Sequence, residues 1–140
     1  MTHIYALQGA EPRKRDVIND LFKMLRTLYP DASIKKSFED ATITATIQCK
    51  SGLKIGIESE DEIDYLKKSL LSFRKENCDV IFCTCPEWGK TTETIQKLEG
   101  DSCVVHFIGL KPKKRFVQNN TSDRVIYDPQ AHELRILAGV

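Results

Sequence analysis

The chain has 140 residues, of which 41% are hydrophobic and 29% charged, and its formal net charge is +1. This length suits one domain over residues 1–140, and the composition excludes a disordered chain. The near-neutral charge excludes a general attraction to nucleic acid or anionic membrane, so such binding would need a local basic patch.

The N-terminal third predicts a strand, a helix and a possible edge strand. An apolar run at 4–7 predicts a buried strand that ends in a turn at Gly9. Apolar residues at helical spacing then predict a helix over about 15–29, which Pro30 ends. Segment 33–38 is a candidate edge strand.

A hairpin follows, over about residues 41–59. Apolar residues alternate with threonines along 41–49, and the alternation resumes at 53–57 after a turn at 50–52. This period of two, with many β-branched residues, predicts two half-buried antiparallel strands.

The second half alternates helices with apolar strands. The predicted elements are a helix opened by acids at 60–62, a strand at 78–85, a helix at 89–98, a strand at 103–108, a mobile loop at 111–124 and a closing helix after Pro129. Such alternation predicts an α/β fold with three layers, in which helices cover both faces of a mainly parallel sheet that contains one antiparallel hairpin. In such sheets ligands lie beyond the carboxyl ends of the strands. The stretches expected to converge there are 8–15, 58–61, 84–92 and 109–114.

The first strand-to-helix loop occupies the position of a phosphate-binding loop. Laid on residues 9–16, the pattern GxxxxGK[ST] keeps only Gly9, while Lys14, Arg15 and Asp16 replace the second glycine, the lysine and the hydroxyl residue. In its element order and acidic strand end, the chain over about 3–110 resembles the P-loop nucleoside triphosphatase superfamily as a degenerate member. The resemblance implies nucleotide or phosphate binding with little or no hydrolysis.

The basic residues of this loop have two interpretations. Arg13, Lys14 and Arg15 can hold an anion, because guanidinium forks fit phosphate. The alternative is a solvated basic helix start without a ligand.

A second candidate follows the strand at 78–85. Gly89, Lys90 and Thr91 supply the GK[ST] part of the pattern before a helix, although Thr84 stands where the leading glycine belongs. Either Lys90 and the helix start bind an anion, or a threonine caps the helix and no ligand binds. Trp88 is either a stacking platform for a base or a packing or partner residue.

Acidic, cysteine and histidine residues give weaker signals. Glu58 ends a strand as a Walker B acid does and is a candidate Mg²⁺ ligand only if a nucleotide binds, the alternative being an acid that caps the next helix. A zinc site from Cys83, Cys85, Cys103 and His106 is unfavourable, since these residues lie at opposite strand ends. Cys85 alone can be reactive if the helix start lowers its pKa.

The basic loop at 111–124 has two interpretations. It contributes Lys111 and Lys113 as further phosphate candidates, or it is a solvated loop.

The sequence thus leaves three functions open: a degenerate nucleotide- or phosphate-binding domain, a non-enzymatic protein-interaction or regulatory module, and a nucleic-acid binder acting through its basic loops. The broken motif points away from an enzyme, and any remaining activity would resemble a nucleoside triphosphatase. The sequence establishes no cofactor, and Mg²⁺ is a candidate only together with a nucleotide. A cytoplasmic location without membrane binding is expected.

Overall fold

The computed structural model describes residues 1–39, 41–112 and 127–140. Its strands are β1 (Thr2–Gln8), β2 (Ser33–Glu39), β3 (Thr42–Gln48), β4 (Lys54–Glu58), β5 (Val80–Cys85) and β6 (Cys103–Gly109). Its helices are α1 (Arg13–Leu28), α2 (Ile63–Lys75), α3 (Lys90–Gln96) and α4 (Pro129–Ala138). The mobile loop expected at 111–124 lies almost wholly outside the described residues.

All six strands belong to one sheet with the order β2-β3-β4-β5-β1-β6. The pairs β4–β5, β5–β1 and β1–β6 are parallel, whereas β3 is antiparallel to both β2 and β4. The predicted hairpin is therefore confirmed as β3 and β4, and the candidate edge strand adds a second antiparallel pair. Among the described strands only β3 runs against the others.

The hairpin turn depends on a glycine. Gly52 has φ +97°, a conformation that residues with a Cβ rarely adopt, and its N–H donates to the carbonyl oxygen of Cys49 at 3.0 Å. The Cys49 N–H in turn donates to the Leu53 carbonyl oxygen at 2.8 Å. This turn sets the register that pairs Gln48 with Lys54.

Helices cover both faces of the sheet and give the predicted three layers. On one face α1 and α4 pack over a core that includes Leu7, Ile57 and Phe82. On the other, α2 and α3 enclose a second core that includes Ala6 and Ile81. Neighbouring residues of a strand enter different cores because strand side chains alternate between the two faces.

The central strand β5 is buried along its whole length, as its apolar sequence predicts. The neighbouring strand β4 approaches α2 closely at Gly56, where an added Cβ would lie 2.7 Å from Cγ of Phe73. Glycine is thus required at this position for the Phe73 ring to pack this close to the strand.

Candidate functional site

The carboxyl ends of the parallel strands lie together at one edge, which we call the sheet rim. Gln8 of β1 is paired in register with Cys85 of β5 and with Gly109 of β6, and Glu58 of β4 is paired with Cys83. Because these strands are parallel, the loops that follow them share the rim.

The two glycine-containing loops adjoin at this rim. The side-chain amide of Gln8 approaches the carbonyl oxygens of Pro86 and Glu87 at 3.5 and 3.3 Å. The loop after β1, with Gly9, and the loop after β5, with Gly89, are therefore neighbours. The structure brings together the two segments in which the sequence places phosphate-binding candidates.

The backbone conformation of Gly9 is explained by its packing against the loop that follows β6. Its φ is +157°, and a Cβ built on it would lie 2.5 Å from Cβ of Leu110. The Leu110 N–H donates to the Gln8 carbonyl oxygen at 2.7 Å, which fixes this close approach. The glycine is explained without a ligand.

Lys14 points into the protein and meets two carboxylates. Its side chain is only 2% exposed, and its Nζ lies 2.5 Å from Oδ2 of Asp61 and 3.5 Å from Oε1 of Glu11. Lys14 precedes the buried residues Val17 and Ile18 by three and four positions, so it lies on the apolar face of α1. Its charge is compensated internally, since a buried ammonium needs such partners.

Two other candidate cations also form ion pairs. Arg13 contacts Asp128 at 3.4 Å, and Lys111 contacts Glu133 at 2.7 Å. Asp128 additionally caps α4 by accepting the N–H of Gln130 at 3.0 Å. Two cations considered for phosphate or nucleic-acid binding thus tie α4 to the rest of the domain. Lys113 lies outside the described residues.

Arg15 borders a different environment. It lines a cavity of about 360 Å³ together with Glu39, Ala41, Thr42, Glu60, Glu62 and Tyr65. Three carboxylates face one guanidinium there, and Glu62 also caps α2 by accepting two backbone N–H groups. The negative field of this cavity opposes phosphate binding.

Glu58 is fully buried and surrounded by hydrogen-bond donors. The Thr44 hydroxyl donates to both carboxylate oxygens at 2.8 and 3.0 Å, the Ser69 hydroxyl donates at 2.5 Å, and the Glu60 N–H donates at 3.2 Å. Burial raises the pKa of Glu58 even though these hydrogen bonds lower it. Within residues 1–39, 41–112 and 127–140 no three His, Cys, Asp or Glu side chains form a metal-binding group. Mg²⁺ binding at Glu58 stays a prediction.

The loop between β5 and α3 presents the remaining candidates. Lys90 is exposed at the start of a seven-residue helix, whereas Thr91 is buried and turned away from solvent. Gly89 has φ +108° with open space where a Cβ would project. The most exposed large hydrophobic side chain in the described ranges is Trp88, at 77%.

The condition named for a reactive Cys85, a pKa lowered by the start of α3, is not met. The thiol is buried, and burial raises its pKa to about 11, although Lys14 opposes the shift. A helix start lowers a thiol pKa only where the thiolate is solvated or faces the N–H groups. All five cysteines are free and buried.

Sequence reasoning missed the partners that neutralise the cations. Asp61 was assigned to the start of α2 and Asp128 was not considered, yet each forms an ion pair with a residue of α1. The position of Lys14 on the apolar face was a usable signal, because a lysine on that face needs a buried carboxylate.

Comparison with protein-family models, curated proteins and solved structures finds no match to this chain. The described helices include none that is long and apolar enough to cross a membrane.

Proposed function

We propose that this chain is a non-enzymatic protein-interaction module that contacts its partner through Trp88 in the loop between β5 and α3. The observation that carries the proposal is the 77% exposure of the single tryptophan in the chain. An indole left in water forfeits the large stabilisation that its burial would give. Tryptophan is also the residue type most enriched at the energetic centres of protein interfaces.

The loop that carries Trp88 is held from two sides. The Gln8 amide donates to the carbonyl oxygens of Pro86 and Glu87, and the Thr92 hydroxyl donates to the Pro86 carbonyl oxygen at 2.8 Å. These bonds tie the loop to β1 and to α3. A side chain presented on a braced loop loses less conformational entropy on binding than one on a loose loop.

The chemistry of the sheet rim supports a module without catalysis. Lys14, Arg13 and Lys111 are each paired with carboxylates, and Glu58 is saturated with hydrogen bonds. A catalytic or phosphate-binding group must be able to reach a ligand. The buried Lys14 instead links α1 to the segment before α2, and the buried Glu58 links β4 to α2. Arg13 links α1 to the start of α4, whereas the pair of Lys111 lies at the surface, with Lys111 63% exposed.

The partner that fits is a protein with an apolar pocket for the indole. Glu87 and Lys90 are exposed on either side of Trp88 and carry opposite charges. They suit a polar rim of mixed sign around that pocket, since interface centres are apolar and their rims polar.

Two matched variants test the proposal. Trp88→Ala and Leu71→Ala each remove one exposed apolar side chain, because Leu71 on α2 is 49% exposed. Affinity capture from cell extract, quantified for wild type and both variants, should yield a protein that Trp88→Ala loses and Leu71→Ala retains. The purified partner should then protect the Trp88 fluorescence from acrylamide quenching. Capture that is equal for both variants, or quenching that the partner leaves unchanged, would refute the proposal.

A second candidate function is weak nucleotide or phosphate binding, favoured by the contact between the Gly9 and Gly89 loops. In this hypothesis a base stacks on Trp88 and Lys90 contacts phosphate, with Mg²⁺ at Glu58. Titration with ATP, with and without Mg²⁺, would then quench the Trp88 fluorescence and raise the melting temperature. Lys90→Ala should weaken both effects. An absence of both in the wild type would eliminate this candidate and leave the interaction proposal standing.

A further inference from the structure

Two histidines from neighbouring strands meet on the sheet face that α1 and α4 cover. His3 lies near the start of β1, and His106 lies in β6. The parallel register pairs His3 with Val104 and Tyr5 with His106, so the two histidines are diagonal neighbours on the same face. His3 lies five residues before Gln8 and His106 three residues before Gly109, so the pair is set back from the sheet rim along these strands.

The two imidazoles touch through their nitrogens. Nδ1 of His3 lies 3.1 Å from Nε2 of His106, the ring centroids are 5.4 Å apart and the ring planes differ by 12°. A hydrogen bond between two neutral imidazoles uses one nitrogen as donor and the other as acceptor. Neither function proposed above uses this pair.

We propose that His3 and His106 form a binding site for a divalent transition-metal ion such as Zn²⁺. Imidazole nitrogens bind Zn²⁺ at about 2.0–2.1 Å, so two of them in a tetrahedral site lie roughly 3.3 Å apart. The observed separation of 3.1 Å is within a few tenths of an ångström of that requirement. In the hydrogen-bonded pair the two nitrogens face each other, so each lone pair must tilt by roughly 35° to point at a shared ion in a tetrahedral site.

The proton balance of this change is simple. In the hydrogen-bonded pair one of the two facing nitrogens carries a proton, and that proton moves to the other nitrogen of the same ring when the metal binds. After this shift each imidazole carries one N–H, directed away from the ion. No oxidant, reductant or further reactant takes part.

The surroundings hold the pair in place. The His106 ring stacks on Tyr5 with a centroid separation of 4.6 Å and an interplanar angle of 11°. Tyr5 is buried, while both histidines are half-buried and within reach of solvent. The stacking keeps the His106 ring beside His3 before binding, so the two nitrogens need not be brought together from separate positions when the ion is captured.

The site is open. The described residues contain no group of three or more candidate metal ligands, so we assign the remaining positions of the ion to water or to an external ligand. Two imidazoles favour the late divalent ions Ni²⁺, Cu²⁺ and Zn²⁺ over Mg²⁺ or Ca²⁺, which prefer oxygen.

The test is Zn²⁺ titration by calorimetry and by melting temperature, for the wild type and for His3→Gln, His106→Gln and His132→Gln. Every protein carries the same short histidine-free N-terminal extension, so the chain's own α-amine cannot join His3 in binding. His132 is an exposed histidine on α4 and serves as the matched control. The wild type and His132→Gln should bind one ion and gain stability from it, whereas each of the other variants should bind at least about tenfold more weakly.

Nitrogen-detected NMR of the wild type supplies a second readout that does not depend on the folding of a variant. Zn²⁺ should shift the ring nitrogen resonances of His3 and His106 and leave those of His132 unchanged. Absence of binding to the wild type, equal affinity in His106→Gln, or shifts confined to His132 would overturn the proposal.

Discussion

Replacing Lys14 or Asp61 should reveal that the buried cation of the first loop is a structural group. Lys14 is 2% exposed and Asp61 27%, so the lysine depends on the ion pair more than the aspartate does. Asp61→Asn leaves a buried ammonium with Glu11 at 3.5 Å as its nearest remaining carboxylate. We expect this change to cost about 3 kcal/mol, at the low end for a broken buried pair.

Two substitutions of Lys14 distinguish the stabilisation from its apolar stem from the stabilisation due to its charge. Lys14→Met keeps most of the apolar stem, and water can solvate Asp61, so the cost should be about 1 kcal/mol. Lys14→Ala also removes three buried methylene groups at about 0.8 kcal/mol each, which brings the total to roughly 3 kcal/mol. The double variant Lys14→Met with Asp61→Asn removes both charges and should be more stable than Asp61→Asn alone.

Urea denaturation followed by circular dichroism measures these differences, since the exposed Trp88 is a poor probe of unfolding. Glu11→Gln is the control, because Glu11 is 38% exposed and its loss should change the free energy of unfolding by less than about 0.5 kcal/mol. The reasoning is refuted if Asp61→Asn costs no more than Glu11→Gln, or if the double variant is no more stable than Asp61→Asn.

Two further predictions concern the interior. Burial raises the pKa of Glu58 in the folded protein, so the native state binds a proton more readily than the unfolded chain does. This contribution to stability is present at acid pH. It is lost as the pH rises from the pKa of glutamate in the unfolded chain to the raised pKa of Glu58 in the folded protein. Urea denaturation across this pH range should therefore show that Glu58→Gln removes part of the decline, whereas the exposed control Glu87→Gln does not; equal declines would contradict the assignment. Gly56→Ala should lower the free energy of unfolding by about 1–3 kcal/mol, because its Cβ would overlap the Phe73 ring. Gly109→Ala, also on a strand but with no atom within 4 Å of the added Cβ, should change it by less than about 0.5 kcal/mol, and similar values for the two would refute the argument.

The sequence by itself determined the α/β class, the hairpin and the position of every described helix to within a few residues. Those features follow from local periodicity, since a strand repeats every two residues and a helix about every 3.6. The complete burial of strand β5 could also be predicted from the sequence, because an unbroken apolar run is typical of a strand covered on both faces. The predicted helix began at about residue 15 and so excluded Lys14, which the structure places inside α1 with a carboxylate partner that the sequence did not identify.

Only the tertiary structure decided where the charged and reactive groups are directed. The partners of Lys14 and Arg13 lie 47 and 115 residues further along the chain, and His3 meets His106 across 103 residues. Strand order and helix docking create these contacts, and local pattern does not encode them. Packing likewise decided that the Cys85 thiol is buried and that Trp88 faces solvent. Packing also decided that Lys14 of the first loop is buried beside Asp61, because burying an ammonium without a carboxylate costs more than the fold can supply.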